Sequence, residues 1–118
     1  MIFAAETEER SLHVFPDADT ATAYCDGRDV EATLWRFWDD DGSPLEPSFT
    51  TPNKRGLFRA QTGVYHLEPV SGGHHEYLWS ALQQIRQVIG EQPFKDVRAV
   101  QEYLVRGSGG RVSALSGR

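Results

Sequence analysis

The stretch Thr33–Thr51, TLWRFWDDDGSPLEPSFTT, constrains the fold of this chain more than any other. Leu34–Trp38 and Leu45–Phe49 are rich in aromatic and apolar residues that suit a pleated surface. Between them Asp39–Pro44 consists almost entirely of residues that interrupt one. The pattern predicts a β-hairpin. Side chains alternate along a strand, so Trp35 and Phe37 share one face and Leu34, Arg36 and Trp38 the other. Both faces carry large apolar groups, which calls for a helical layer on one face and partial cover on the other. The expectation is that Trp35 faces the C-terminal helices.

Around this hairpin the chain supplies further short strands and helices. Ile2–Ala5 and Leu12–Phe15 read as strands separated by an acidic loop. Asp17 or Asp19 can cap a short helix over Ala18–Cys25, with Gly27 placed to end it. Ala21, Tyr24 and Cys25 recur at helical spacing, which assigns Cys25 to the core. Pro52–Gly56 reads as a basic turn, and Leu57–Ala60 and Val64–Pro69 as a second strand pair with Tyr65 and Leu67 inward. Beyond Ser71-Gly72-Gly73, one helical stripe runs through Tyr77, Leu78, Ala81, Leu82, Ile85, Val88 and Ile89 up to Gly90. A further helix is predicted over Lys95–Arg106, with Val97, Val100 and Leu104 on one face. The expected fold is α+β: an antiparallel sheet with a short N-terminal helix and two C-terminal helices packed on one face. At 118 residues this makes a single domain over residues 1–107, with Ser108–Arg118 a Gly/Ser-rich flexible tail. No apolar run is long enough to span a bilayer and no secretory leader is evident, so the expected location is the cytoplasm.

Charge divides the chain in two. Residues 1–53 hold twelve acids against three bases (−9), and residues 54–118 hold five acids against nine bases (+4). The acidic half disfavours nucleic acid and favours a cationic partner. Lys54, Arg55 and Arg59 are too few to reverse this. The densest acidic cluster, Asp39-Asp40-Asp41, occupies the hairpin tip. It lacks the alternating ligand order of a calcium loop, and three adjacent like charges gain most from a basic partner.

Catalytic and metal chemistry find little support in the spacing. His74-His75-Glu76 is the densest metal-capable run, yet adjacent side chains diverge and no paired-histidine helical spacing or Cys pair accompanies it. These residues read as the polar opening of a helix; His13 and His66 would join them only through folding. No nucleophile elbow or phosphate loop is present. No cofactor is implied.

The remaining combination is acids with aromatics. Along Ala23–Pro47 the turns Ala-Tyr-Cys-Asp-Gly, Trp-Asp-Asp-Asp-Gly and Leu-Glu-Pro, in a small acidic domain without a catalytic motif, resemble the immunity proteins of bacterial toxin–immunity systems, including contact-dependent inhibition. The resemblance implies a non-enzymatic module that neutralises a basic protein such as a toxin nuclease domain. The expected contacts are Asp39, Asp40, Asp41 and Glu46, with Trp38 as aromatic anchor. Two other classes stay open: a small enzyme or metal-binding protein using His66, His74 or His75, and a homo-oligomerisation domain.

Overall fold

A computed structural model describes residues 1–51, 54–55, 60–61, 63–70, 75–91 and 93–108. The fold is α+β, built on a six-stranded, mostly antiparallel sheet in the order β7-β4-β3-β1-β2-β8. The strands are β1 (Ile2–Glu6), β2 (Ser11–Phe15), β3 (Trp35–Trp38), β4 (Pro44–Thr51), β7 (Val64–Pro69) and β8 (Gln87–Ile89). A separate ladder joins β5 (Lys54–Arg55) to β6 (Ala60–Gln61). The helices are α1 (Ala18–Tyr24), α2 (Gly27–Glu31), α3 (Leu78–Ala81), which continues into a 3-10 turn over Leu82–Gln84, and α4 (Val97–Ser108).

Alternation along the central strands creates two cores. Phe3, Ala5, Leu12 and Trp38 bury one face against Leu78, Ala81, Leu82, Phe94, Val100 and Leu104. Ile2, Ala4, Phe15, Phe37 and Leu45 bury the other against Ala21, Cys25 and Val30 of the N-terminal helical layer and against Tyr65. The expected hairpin is present as β3 and β4, but its faces are reversed. Trp38 packs with the C-terminal helices, whereas Trp35 lies half-buried on the opposite side with the α1–α2 core. Antiparallel pairing sets this: Phe3 opposes Trp38, while Glu6, at the strand's solvent end, opposes Trp35.

Three other expectations change. Gly27 does not stop a helix but opens α2, because the Asp26 carboxylate accepts from the Arg28 N–H at 2.8 Å and caps a new first turn. The long stripe from Tyr77 to Ile89 breaks after Gln84, and Gln87–Ile89 forms a strand parallel to β2. Val88 and Ile89 are β-branched, which favours a strand, and pairing Val88 with Leu12 packs Val88 against the core. Val64–Pro69 pairs with β4, matching Tyr65 to Phe49 and Leu67 to Pro47, while Ala60, expected to pair with it, lies opposite Arg55 in the separate ladder. Residues 57–59, the Gly-rich break at 71–73 and the tail from 109 to 118 lie outside the described residues.

The hairpin tip is tied to the C-terminal layer. Gly42 has φ +85°, and a Cβ there would stand 3.2 Å from a Leu104 methyl. Its carbonyl accepts from the Leu78 N–H at 2.9 Å, and the Trp38 indole N–H donates to the Glu76 carbonyl at 2.7 Å. These contacts predict an order of sensitivities. Trp38→Ala should cost about 3–5 kcal/mol, and the half-buried Trp35→Ala only about 1–2 kcal/mol, in denaturant unfolding. Equal losses would contradict the assignment of faces.

A second outcome follows from the α2–β3 connection. The Leu34 N–H bonds to the Asp29 carbonyl and the Thr33 N–H to the Val30 carbonyl, both at 3.0 Å, which is a Schellman end with Thr33 at the left-handed position (φ 61°). A β-branched residue is strained there. Thr33→Gly should raise stability by about 1 kcal/mol, and a lower unfolding midpoint would show that the threonine side chain contributes more than its backbone strain removes.

Candidate functional site

The acids of the N-terminal half do not gather at one place. Glu6 ends β1 and Glu8 and Glu9 follow in the β1–β2 turn, while Asp39–Asp41 belong to the β3–β4 turn; β1 and β3 are antiparallel, which puts these turns at opposite ends of the sheet. A third group, Asp17, Asp19, Asp26, Asp29 and Glu31, lies on the α1–α2 layer. The one base of that layer, Arg28, sits 3.5 Å from Asp26. Asp17, Asp19, Asp29 and Glu31 are exposed.

The expected contact residues fare unevenly. Trp38 is wholly buried, so it cannot anchor a partner; its large apolar surface and its indole hydrogen bond both serve the core. Asp39 turns inward, its Oδ1 accepting from the backbone N–H groups of Asp41 and Ser43, each at 3.1 Å. Burial, then the Asp41 carboxyl, push its pKa up to about 6. Asp41 also accepts from the Ser43 N–H, at 2.9 Å, and Asp40 alone of the three is fully on the surface. The tip is thus a self-capped turn that docks on α3 and α4. Glu46 stands apart from it, directly opposite Glu68 on β7. It lines a cleft of about 550 Å3 with Arg36 and Glu31, where β3 and β4 part after only two paired positions. Pro47 has no N–H to offer a ladder at that point.

The residues that sequence reasoning missed surround Tyr24. Tyr24 shares the helical spacing of Ala21 and Cys25; those two are buried, but Tyr24 is 60% exposed. It ends α1 and lies over a cluster of rings. His13 is 5.4 Å away by ring centroids, Phe15 5.5 Å and Trp35 6.1 Å. His13 stacks on Phe15 and is nearly buried, with Ser11 Oγ 3.4 Å from Nε2. Burial lowers its pKa, partly offset by Glu6 and Glu9, so the ring is held neutral. Two depressions flank Tyr24. One, of about 530 Å3, wraps the sheet end where β2 and β8 stop. The other, of about 430 Å3, is lined by Asp26, Val64 and Tyr65. An exposed Tyr at a helix end beside Asp-Gly was the available signal, but i, i+3, i+4 spacing cannot separate a core residue from one at the rim of a sheet.

Among the described residues the histidines do not form a centre. His66 pairs with Glu68 at 3.0 Å on the exposed side of β7. His75 does not open a helix; its ring meets the edge of Trp38 at 5.2 Å and its Nε2 lies 3.0 Å from the Leu45 carbonyl, so it braces the hairpin. His74 lies outside the described residues. Among the described residues no three His, Cys, Asp or Glu side chains converge as metal ligands, and no helix is long and apolar enough to cross a membrane. Burial and then Asp29 push the Cys25 thiol up to about 12, which leaves it protonated and inert.

Comparison with protein-family models, curated proteins and solved structures returned no match.

The Asp39 shift has a testable sign. A carboxyl whose folded pKa is raised binds its proton more tightly in the native state, so stability falls as pH rises from about 4 through about 6. Asp39→Asn retains an acceptor for the turn and removes the charge. The variant should match the parent near pH 4 and exceed it above pH 6 in chemical unfolding; a parent that stays more stable across the whole range would show that the ionised carboxylate is the better turn acceptor.

Proposed function

We propose that this chain is a cytoplasmic, acidic protein-binding module that neutralises a basic partner, and that it acts as an immunity protein against a toxin nuclease domain. The observation that carries this reading is the α1–α2 layer, where exposed Asp17, Asp19, Asp29 and Glu31 accompany an exposed Tyr24. A nuclease must attract phosphates, so the surface around its active site is cationic. A layer of fixed carboxylates meets that surface by charge, and steers encounter. A tyrosine backed by Phe15, His13 and Trp35 supplies a preorganised aromatic contact of the kind that dominates interface energetics. The interface therefore centres on Asp17, Asp19, Tyr24 and Asp29 rather than on Trp38 and the hairpin tip, with Glu46, which shares a cleft with Glu31, at its periphery.

The test begins with a pull-down from the source cell and identification of the bound protein, followed by association and dissociation rates at two salt concentrations. The partner is expected to be basic. Replacing Asp17, Asp19 and Asp29 with Asn should slow association by about tenfold or more at low salt and flatten its salt dependence. Asp17 caps α1, and Asn keeps that acceptor. Tyr24→Ala should instead speed dissociation, at a cost of about 2 kcal/mol or more. Asp40→Asn should change neither rate by as much. A partner that proved acidic, or was nucleic acid, would remove the neutralising reading.

A further inference from the structure

We infer that the outer edge of β7 pairs with the same edge of a second copy of this chain, giving an antiparallel, two-fold symmetric dimer; the inference does not depend on the neutralising reading. β7 ends the six-stranded sheet, and among the described residues no strand lies beyond it. The direction of its backbone groups follows from its bonds to β4. The Val70 N–H donates to the Pro44 carbonyl at 3.3 Å, and the Thr50 hydroxyl donates to the Val64 carbonyl at 3.2 Å. Backbone groups alternate sides along a strand, so His66 and Glu68 also bond toward β4, while Tyr65, Leu67 and Pro69 point theirs outward. Among the described residues the outward groups of Tyr65 and Leu67 meet no backbone partner. Such a row is a template for another strand. The opposite edge, β8, offers only three residues.

Self-pairing leaves few registers, and charge selects one of them. A dimer centred on Glu68 sets two carboxylates against each other, and one centred on Tyr65 sets Val64 against His66. Centring on Leu67 sets His66 opposite Glu68 of the second copy, twice over by symmetry. Both side chains are about half open to solvent, and His66 Nε2 already lies 3.0 Å from its own Glu68. The four side chains then form a patch of alternating donors and acceptors. Glu46 faces Glu68 from β4 within each chain, so a histidine on the open side of Glu68 relieves that contact where an acid would add to it. In the same register Leu67 exchanges both backbone bonds with its copy, and each Tyr65 N–H meets the other chain's Pro69 carbonyl. Pro69 has no N–H to return, so the ladder ends there and the pairing closes at two chains. The product is one continuous sheet with six strands from each copy. Its two-fold axis brings both α1–α2 layers to the same face, where their acids repel at low salt. Near physiological ionic strength that repulsion is screened beyond about 8 Å.

The experiment is sedimentation velocity of the 118-residue chain at physiological salt, with amide hydrogen exchange followed by NMR on the same samples. Across about a hundredfold range of concentration the mass should rise toward that of two chains. Protection of the Tyr65 and Leu67 amides should rise with it, while the His66 and Glu68 amides, which face β4, stay protected throughout. His66→Glu and Glu68→Lys should each weaken the dimer at least about fivefold, and the double variant, with the charges exchanged, should restore it to within about twofold. Glu68→Lys supplies the reading if His66→Glu does not fold. A mass of one chain at every concentration would overturn the inference. So would a dimer whose protection maps to β8 or Tyr24, or one that is indifferent to both single variants.

Discussion

The structure depends on a clasp between the β3–β4 turn and the C-terminal layer. The carbonyl of Gly42 holds the first N–H of α3, and the Trp38 indole holds the Glu76 carbonyl just before it. The first turn of a helix has N–H groups with no partner inside the helix, and Tyr77 offers no side-chain cap, so the hairpin provides what the helix start lacks. In return Leu78 and Leu104 close over Gly42 and bury it. A four-residue helix has little stability of its own, and α3 persists because the hairpin and the core hold it.

That clasp explains why the acids of the tip are poor candidates for recognition. A turn with side chains engaged in capping its own N–H groups, and with a buried Gly at its centre, is part of the scaffold. The rise in the Asp39 pKa belongs to the same arrangement: a carboxyl placed where the turn needs an acceptor sits beside Asp41 and partly out of water. The proposed interface lies instead on the opposite layer, where α1 and α2 are short and expose carboxylates around an aromatic end. The two faces of the sheet thus divide the work, one holding the C-terminal helices and the other presenting charge.

The ring cluster links that surface to the core. His13 and Phe15 on β2 and Trp35 on β3 lie on one face of the sheet, on either side of β1, and Tyr24 lies over them as the visible member of the set. A partner touching Tyr24 would meet a ring already in contact with three others, which lowers the entropy cost of contact.

Much of the fold was legible in the residues. Turn formers between two apolar runs announced β3 and β4, short apolar runs announced strands at Ile2–Ala5 and Leu12–Phe15, alternation announced Val64–Pro69, and Asp17 with its acidic first turn announced α1. These are local signals, set by backbone preference and by which side chains a strand or helix can present together. Tertiary structure alone decided the rest. Whether Trp35 or Trp38 met the C-terminal helices depended on the pairing of β1 with β3, which no periodicity within the hairpin contains. Whether Val88 and Ile89 continued a helix or joined β2 depended on a parallel neighbour more than seventy residues away in the chain. The site followed the same rule. Composition determined that the N-terminal half is acidic, but burial decided which acids face solvent, because a carboxylate used by a turn and one on an open helix are identical in sequence and differ only in what surrounds them.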